Sequence, residues 1–394
     1  MRATLAPLPG EWTVPIALGP VRLQAGVPSA IRLATSWWAG PALRGRTLPT
    51  AHGRVQVVDA AAGHLLLRCA PCLLQPPGLG EDPLQLAEVV LTVQRQADRL
   101  SGEIRSGAVR GRWDGRLEAG RLRLRLDIPA TPLADGYALL AGAIPEAAQA
   151  RISGRFSLHA TWSLPAGTLT VVPTVDGFTV DGLGTATLVG ARSACSRRAS
   201  RLNADSWLAR AVVAAEDQRF HEHPGYDLAE LAAALDRNQQ AGRVERGGST
   251  LSQQVAKLLV TGDERNAVRK LRELLYAVEL EGTLGKARIL RLYLDHAPWG
   301  EGLCGAEAAA QHYFGVRAHE LTPGQAVWLA AMLRNPQREA RQWAATGHID
   351  LARAQWVALN LRGLSRTRKL QLVDDLAGQD WRPLWAEPPA RRGG

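Results

Sequence analysis

The run Arg121-Leu122-Arg123-Leu124-Arg125-Leu126-Asp127-Ile128 alternates polar and apolar residues at every step. At a side-chain period of two, Leu122, Leu124, Leu126 and Ile128 share one face of a strand, and Arg121, Arg123, Arg125 and Asp127 share the other. Phe156, Leu158, Ala160, Trp162 and Leu164 repeat the pattern up to the breaker Pro165-Ala166-Gly167. Leu169 and Val171 begin a third strand before Pro173. Trp113-Asp114-Gly115 and Glu118-Ala119-Gly120 read as turns between strands. Residues 1–190 are therefore expected to form an antiparallel β-rich domain with one apolar face. The arginines opposite that face are most simply a solvated surface, with a lipid- or glycan-facing role as the lesser reading.

From about Ser200 the period becomes helical. Leu228, Leu231, Ala232 and Leu235 mark one apolar stripe, Leu271, Leu274, Leu275 and Val278 a second, and Ile289, Leu290, Leu292 and Tyr293 a third. Helical segments alternate with short Gly- and Pro-containing connections to about Gln379, and no solenoid repeat is present. The stretch from Gly182 to Ser200, rich in Gly, Ser and Arg, reads as the linker. The expected fold class is α+β in two domains: an antiparallel β-rich domain over 1–190 and a mostly helical domain over 200–375.

A length of 394 residues with 46% hydrophobic and 21% charged positions supports two cores and excludes global disorder. The formal net charge of +10 suits an anionic partner: nucleic acid, an anionic membrane surface or a phosphate-bearing substrate. A general arginine bias of the surface explains it equally well. Aromatic residues are not interleaved with basic ones in any known module, so nucleic acid is disfavoured. Cys69 and Cys72 are close, but no further pair at matching spacing completes a zinc site. A local disulfide and two free thiols both remain open. No apolar run reaches the roughly 18 residues of a bilayer span, and Met1 to Leu23, with Pro7, Pro9, Pro15 and Pro20, reads as neither signal peptide nor anchor.

Four blocks in the helical half carry chemistry. Glu216-Asp217 ends the apolar run Ala211 to Ala215, where burial would raise a carboxyl pKa toward acid–base use; Arg219-Phe220 and His221 to Asp227 follow. Gly247-Gly248-Ser249-Thr250 leads into Leu251-Ser252-Gln253-Gln254-Val255-Ala256-Lys257, with Thr250 and Gln253 spaced as a capping box. Gln253 and Lys257, four apart, would project from one face. Arg265, Arg269 and Glu273 would line one side of a helix, with Lys270 beside them. Lys257, Arg265 and Arg269 together suit a departing pyrophosphate. The fourth block runs Lys286 to Asp295, followed by Gly302, Gly305 and Ala306 to Ala310, small residues that permit close helix packing, and by His312-Tyr313-Phe314-Gly315.

Taken in order, these blocks resemble glycosyltransferase family 51, the polymerase module of bifunctional penicillin-binding proteins and of monofunctional peptidoglycan glycosyltransferases. The family signatures Glu-Asp-x-x-Phe-x-x-His-x-Gly, Gly-Gly-Ser-Thr-x-[Thr/Ser]-Gln-Gln, Arg-Lys-x-x-Glu and Lys-x-x-Ile-Leu-x-x-Tyr-Leu-Asn all occur with family-like spacing, the last with one substitution. The resemblance covers residues of roughly 205 to 340. It implies a lysozyme-like helical fold in two lobes and inverting polymerisation of lipid II into β-1,4-linked glycan with release of undecaprenyl pyrophosphate. By position, Glu216 would be the general base toward the acceptor 4-hydroxyl and Glu273 the second carboxylate. Lys257 and Arg265 would hold the pyrophosphate, with Arg269 and Lys270 beside them. Ser249, Gln253 and Gln254 would shape the cleft, and Asp217 would hold Glu216. No cofactor is fixed by the motifs, and a divalent cation (Mg or Mn) stays open; no metal ligands are assigned.

Two departures stand out: Asp295 replaces the usual Asn, and Pro298-Trp299-Gly300 follows in place of Tyr/Phe-Gly. Both fall in a region that mainly supports the fold. Ser-x-x-Lys, Ser-x-Asn and Lys-Thr-Gly motifs do not follow, so peptide cross-linking is not expected. The β-rich half, including Leu100-Ser101-Gly102-Glu103-Ile104, weakly resembles periplasmic AsmA-like lipid-handling domains and stands where family members carry a transmembrane helix. An upstream anchor or signal lost from this sequence would reconcile the two. The expected setting is the periplasmic face of the bacterial inner membrane. Expected partners are lipid II, the growing glycan strand, the membrane surface and other cell-wall synthesis proteins. Leu228 to Arg246, with Arg237, Arg243 and Arg246, is the expected membrane contact. The alternatives are a non-catalytic lipid II-binding scaffold and a glycan hydrolase; the latter leaves the phosphate-binding cations without a use.

Overall fold

A computed structural model describes residues 13–18, 21–74, 83–118, 121–164, 167–191, 199–241, 247–263, 266–379 and 381; Arg243, Arg246 and Arg265 lie outside them. In chain order the elements begin with strands β1 (Thr13–Leu18) and β2 (Val21–Gly26), helix α1 (Val27–Ala34), and β3 (Thr47–Thr50). Strands β4 (Gly53–Ala61), β5 (His64–Leu74), β6 (Leu84–Leu86), β7 (Val89–Gln96), β8 (Arg99–Ser106), β9 (Val109–Glu118) and β10 (Arg121–Pro132) follow. Short helices α2 (Leu133–Ala138) and α3 (Glu146–Gln149) precede β11 (Arg151–Leu164) and β12 (Thr168–Asp181). The helical part comprises α4 (Trp207–Glu216), α5 (Leu228–Ala241), α6 (Leu251–Ala256), α7 (Ala267–Thr283) and α8 (Gly285–His296). The hairpin β13 (Pro298–Gly300) and β14 (Leu303–Cys304) leads to α9 (Ala306–Phe314), α10 (Pro323–Met332), α11 (Pro336–Thr346), α12 (Leu351–Asn360) and α13 (Arg366–Gly378). No helix among the described residues is long and apolar enough to cross a membrane. The architecture is α+β, as the two periodicities predict.

The chain packs as two compact units. One comprises Met1–Gly182, Leu228–Gly248 and Arg265–Arg272; the other comprises Leu183–Asp227, Ser249–Glu264 and Glu273–Gly394.

In the first unit ten strands form one antiparallel sheet in the order β12-β11-β10-β9-β8-β7-β5-β4-β3, with β6 on β5. The alternation in β10 sets its register: Leu124 lies opposite Trp162 of β11 and Gly115 of β9, and Leu126 opposite Ala160 and Trp113. Arg121, Arg123 and Arg125 are exposed, the solvated face. Val57, Leu65, Val93, Leu100, Leu117 and Leu122 form the sheet's core under Ile31 and Ala34 of α1. Pro173 lies within β12, which its place at the end of the sheet order permits. Cys69 and Cys72 are joined in a disulfide at the end of β5.

The expected turn at Trp113-Asp114-Gly115 is instead the middle of β9. Gly115 packs closely there: a Cβ would stand 2.8 Å from Leu124 Cδ2 and 3.1 Å from the Arg123 carbonyl oxygen. Gly102 is tighter still. Its Cβ would lie 1.9 Å from the Thr92 carbonyl oxygen, which accepts a hydrogen bond from Trp113 Nε1 at 3.1 Å. Gly102→Ala is therefore expected to lower the stability of this unit by about 1–3 kcal/mol, read as a fall in melting temperature by circular dichroism.

Two segments of the motif-bearing region pack within this first unit. The α5 helix lies on β12, with Ala234 buried, and a Cβ at Gly248 would come 3.1 Å from Leu231 Cα. Of the stripe expected to meet a membrane, Leu228 and Leu231 are half-buried and Ala232 is exposed. The start of α7 is held by Arg272 Nε on Glu146 Oε1 at 2.8 Å and by the buried Tyr137 hydroxyl donating to the Leu271 carbonyl at 3.3 Å.

The second unit is built around α10, apolar on every side and correspondingly buried from Ala326 to Met332. Tyr313, Trp328 and Trp343 pack edge to face around it. The departure at Trp299 is a core substitution: the ring is fully buried, and its Nε1 donates to the Leu329 carbonyl at 3.0 Å. Asp295 accepts from both the backbone N–H and the hydroxyl of Ser200 at 2.8 Å. Ala306, Ala309 and Ala310 are buried, the close packing that the small residues predict.

Candidate active site

Ser206 caps α4 and Leu208 to Ala215 supply its buried faces, so the helix is anchored in the core along its length. Its last residue is Glu216, whose side chain keeps 14% exposure. Gln254 Nε2 donates to Glu216 Oε2 at 3.1 Å, and Arg353 Nη2 stands 3.8 Å from Oε1. Arg353 is itself placed by a 2.6 Å bond to the Ala215 carbonyl and by stacking over Trp356. Burial raises the Glu216 pKa above the usual carboxylate range; the Gln254 hydrogen bond and the Arg353 charge pull it partly back, and Asp217 pushes it up again. The buried Tyr293 phenol is raised well above its ordinary value, by burial first and then by the charge of Glu216.

Asp217 follows Glu216 and is buried. Its carboxylate accepts from the Leu251 backbone N–H at 2.9 Å and meets His223 Nε2 at 3.0 Å. His223 Nδ1 accepts from the Gly225 N–H at 3.2 Å, so the ring proton sits on Nε2 and points at Asp217. Asp217 therefore ties the first motif to the start of α6 and fixes where the second begins. Thr250 adds to the tie by donating to the Gly225 carbonyl at 2.7 Å. The capping box forms as the spacing predicts, with Gln253 Oε1 accepting from Thr250 N at 3.0 Å. Gln253 is consequently buried in the cap, while Gln254 reaches Glu216.

Lys257 closes α6 and opens a π-type turn from Lys257 to Thr261. It is 39% exposed and pairs with the open Asp263 at 2.9 Å, a contact that water screens and an incoming anion can replace. Ser249 is half-buried just before the cap, and Glu273 is buried within α7. Arg269 and Lys270 are half-buried and belong to the first unit, whereas Glu216, Gln254, Lys257 and Glu273 belong to the second. Among the described residues no group of three or more His, Cys, Asp or Glu side chains is placed to hold a metal ion.

Sequence reasoning missed Arg353 and Tyr293 as neighbours of Glu216. Tyr293 was legible only as part of an apolar stripe, and Arg353 had no local pattern at all. If ionised Glu216 does the work, activity rises with pH through a midpoint above the usual carboxylate range. Arg353→Ala removes a charge that favours the ionised form, so the midpoint moves further up; kcat/KM against pH for the two proteins measures this.

The helical unit thus presents a largely enclosed, hydrogen-bonded carboxylate of raised pKa, Glu216, together with the more open Lys257, groups with the capacity for acid–base and anion-binding chemistry. The transglycosylase family model matches residues 190–361. The biosynthetic peptidoglycan transglycosylase of Cupriavidus metallidurans is 48% identical over 142 residues, 36% of this chain and 61% of the relative. That of Nitrosomonas eutropha is 47% identical over 130 residues, 33% of this chain and 53% of the relative. That of Stutzerimonas stutzeri is 43% identical over 178 residues, 44% of this chain and 71% of the relative. The chain belongs to the transglycosylase family. It spans 61% and 53% of the length of the first two of these relatives, and no transpeptidase domain is found in this sequence.

Proposed function

We propose that this protein is a peptidoglycan glycosyltransferase that polymerises lipid II into β-1,4-linked glycan at the periplasmic face of the bacterial inner membrane. The observation that carries the reading is Glu216: a carboxylate at the end of a buried helix, raised in pKa, with Gln254 and Arg353 fixing its orientation. Family membership supplies the reaction class. On this reading the helical unit is lysozyme-like. The acceptor 4-hydroxyl gives its proton to ionised Glu216 as its oxygen bonds to the donor anomeric carbon. The bond from that carbon to the phosphate oxygen breaks, the electron pair leaves with undecaprenyl pyrophosphate, and attack from the opposite side inverts the centre. Lys257 and Arg265 stabilise the charge on the leaving group, Glu273 acts on the phosphate side, and Arg269 and Lys270 extend the cationic surface. Other cell-wall synthesis proteins are the natural partners of such a polymerase.

Incubation of the purified chain with labelled lipid II and Mg or Mn tests the proposal: it predicts a polymer that a β-1,4-muramidase degrades. Lipid II that binds but stays monomeric would favour a scaffold instead. Lys257→Ala is expected to cost about 1–2 orders of magnitude in kcat/KM, from a charge-assisted phosphate contact of roughly 1.5–3 kcal/mol. Added salt should reproduce part of that loss in wild type and less of it in the variant.

A further inference from the structure

A second cationic site lies in the helical unit, in a cleft that Glu216 does not line. A cleft of about 220 Å³ is lined by Arg210, Gln218, His221, Asn360, Arg362 and Lys369, with Val213 and Ala214 beneath. Arg210, Val213 and Ala214 recur at the spacing of one helix face, and neither Gln254 nor Arg353, the partners of Glu216, borders the cleft. The volume falls below the roughly 300–1,000 Å³ of clefts that take larger organic ligands. It is the size for a small anion.

Each of the three cations donates to a backbone carbonyl. Arg210 donates to the Arg362 carbonyl, Lys369 Nζ to the Leu359 carbonyl at 2.9 Å, and Arg362 Nη2 to the Gln218 carbonyl at 2.7 Å. Carbonyls orient these groups without cancelling their charge. Among the described residues the carboxylate paired with them is Glu222, which meets Arg362 at 2.8 Å and also Arg219. Lys369 sits in the first turn of α13 together with Arg366 and Arg368, and that turn carries no acid. Cations at a helix N-terminus oppose the helix dipole, so this concentration of positive charge is one an anion would relieve. Forked guanidinium groups beside an ammonium match phosphate oxygens better than a lone carboxylate.

We propose that this cleft binds a phosphate-class anion, supplied either as a free phosphate compound or by a lipid headgroup. The proposal does not rest on the polymerase reading. Its test is calorimetric titration of inorganic pyrophosphate into the full chain carrying Lys257→Ala, which removes the lysine assigned to the other pyrophosphate site. One saturable site is expected, weakened at least tenfold by Lys369→Glu and retained by Lys369→Arg, with melting curves confirming that both variants fold. If Lys369→Glu melts early, Lys369→Gln replaces it and a clear weakening is still expected. Co-sedimentation with phosphatidylglycerol and phosphatidylcholine vesicles separates the sources. Binding to phosphatidylglycerol that pyrophosphate competes away and Lys369→Glu lowers assigns a headgroup; pyrophosphate binding without it assigns a free anion. Absence of saturable pyrophosphate binding, or equal binding by folded Lys369→Glu, overturns the proposal.

Discussion

Glu216→Gln is expected to reduce glycan polymerisation by about 10²–10⁴-fold, the usual contribution of a positioned general base, while leaving the protein as stable as wild type or more so. Gln matches the volume of Glu and can still accept from Gln254 Nε2. What it loses is the capacity to take a proton. The stability direction follows from the raised pKa, whose first cause is burial. A carboxyl that holds its proton more tightly folded than unfolded favours the fold at pH below its unfolded pKa. That advantage is lost as pH rises through the folded value, beyond which the protein bears a buried charge. At neutral pH the amide relieves this cost, and the difference between the two proteins closes on acidification. Melting curves at both pH values check the stability half. Retention of more than a tenth of wild-type turnover would remove Glu216 from the role.

Asp217→Ala carries the largest expected loss of stability. Its carboxylate is buried and is the partner of two buried donors, His223 Nε2–H and the Leu251 N–H. Deleting it leaves both unsatisfied in the core, at roughly 1–3 kcal/mol for each buried donor left without a partner. At about 2–4 °C per kcal/mol for a unit of this size, melting should fall by about 10 °C. Polymerisation should fall too, because the start of α6, and with it Gln254, is set by this link. Asp217→Asn keeps one acceptor oxygen and should lie between the two. A melting temperature for the alanine variant within about 2 °C of wild type would show that the tie is not structural.

Local chemistry was the legible part of this molecule. Alternation in β10 gave a strand whose arginines face water, and Thr250 with Gln253 gave the cap of α6, because both depend on residues a few positions apart. Trp113-Asp114-Gly115 misled for the converse reason. A glycine after Asp has the composition of a turn, but Gly115 sits closely against Leu124 and the Arg123 carbonyl of the neighbouring strand, contacts no local pattern encodes. The helical period of α5 was visible, yet the surface it packs on, β12, is remote in sequence. At the site, Glu216 and Gln254 stood inside recognisable motifs. Arg353 reaches the same carboxylate from α12, placed there by the Ala215 carbonyl and Trp356. Such a position emerges only from the tertiary fold. Asp217 is legible in the same motif as Glu216, but its bond to Leu251, 34 residues on, emerges only from the tertiary fold.

The most direct test of the central claim follows labelled lipid II with wild-type protein and Glu216→Gln in parallel, measuring both bound substrate and polymer. The account predicts equal binding by the two proteins, with muramidase-sensitive polymer formed by wild type alone. Polymer formed at comparable rates by both proteins, or by neither while both bind the substrate, would contradict it.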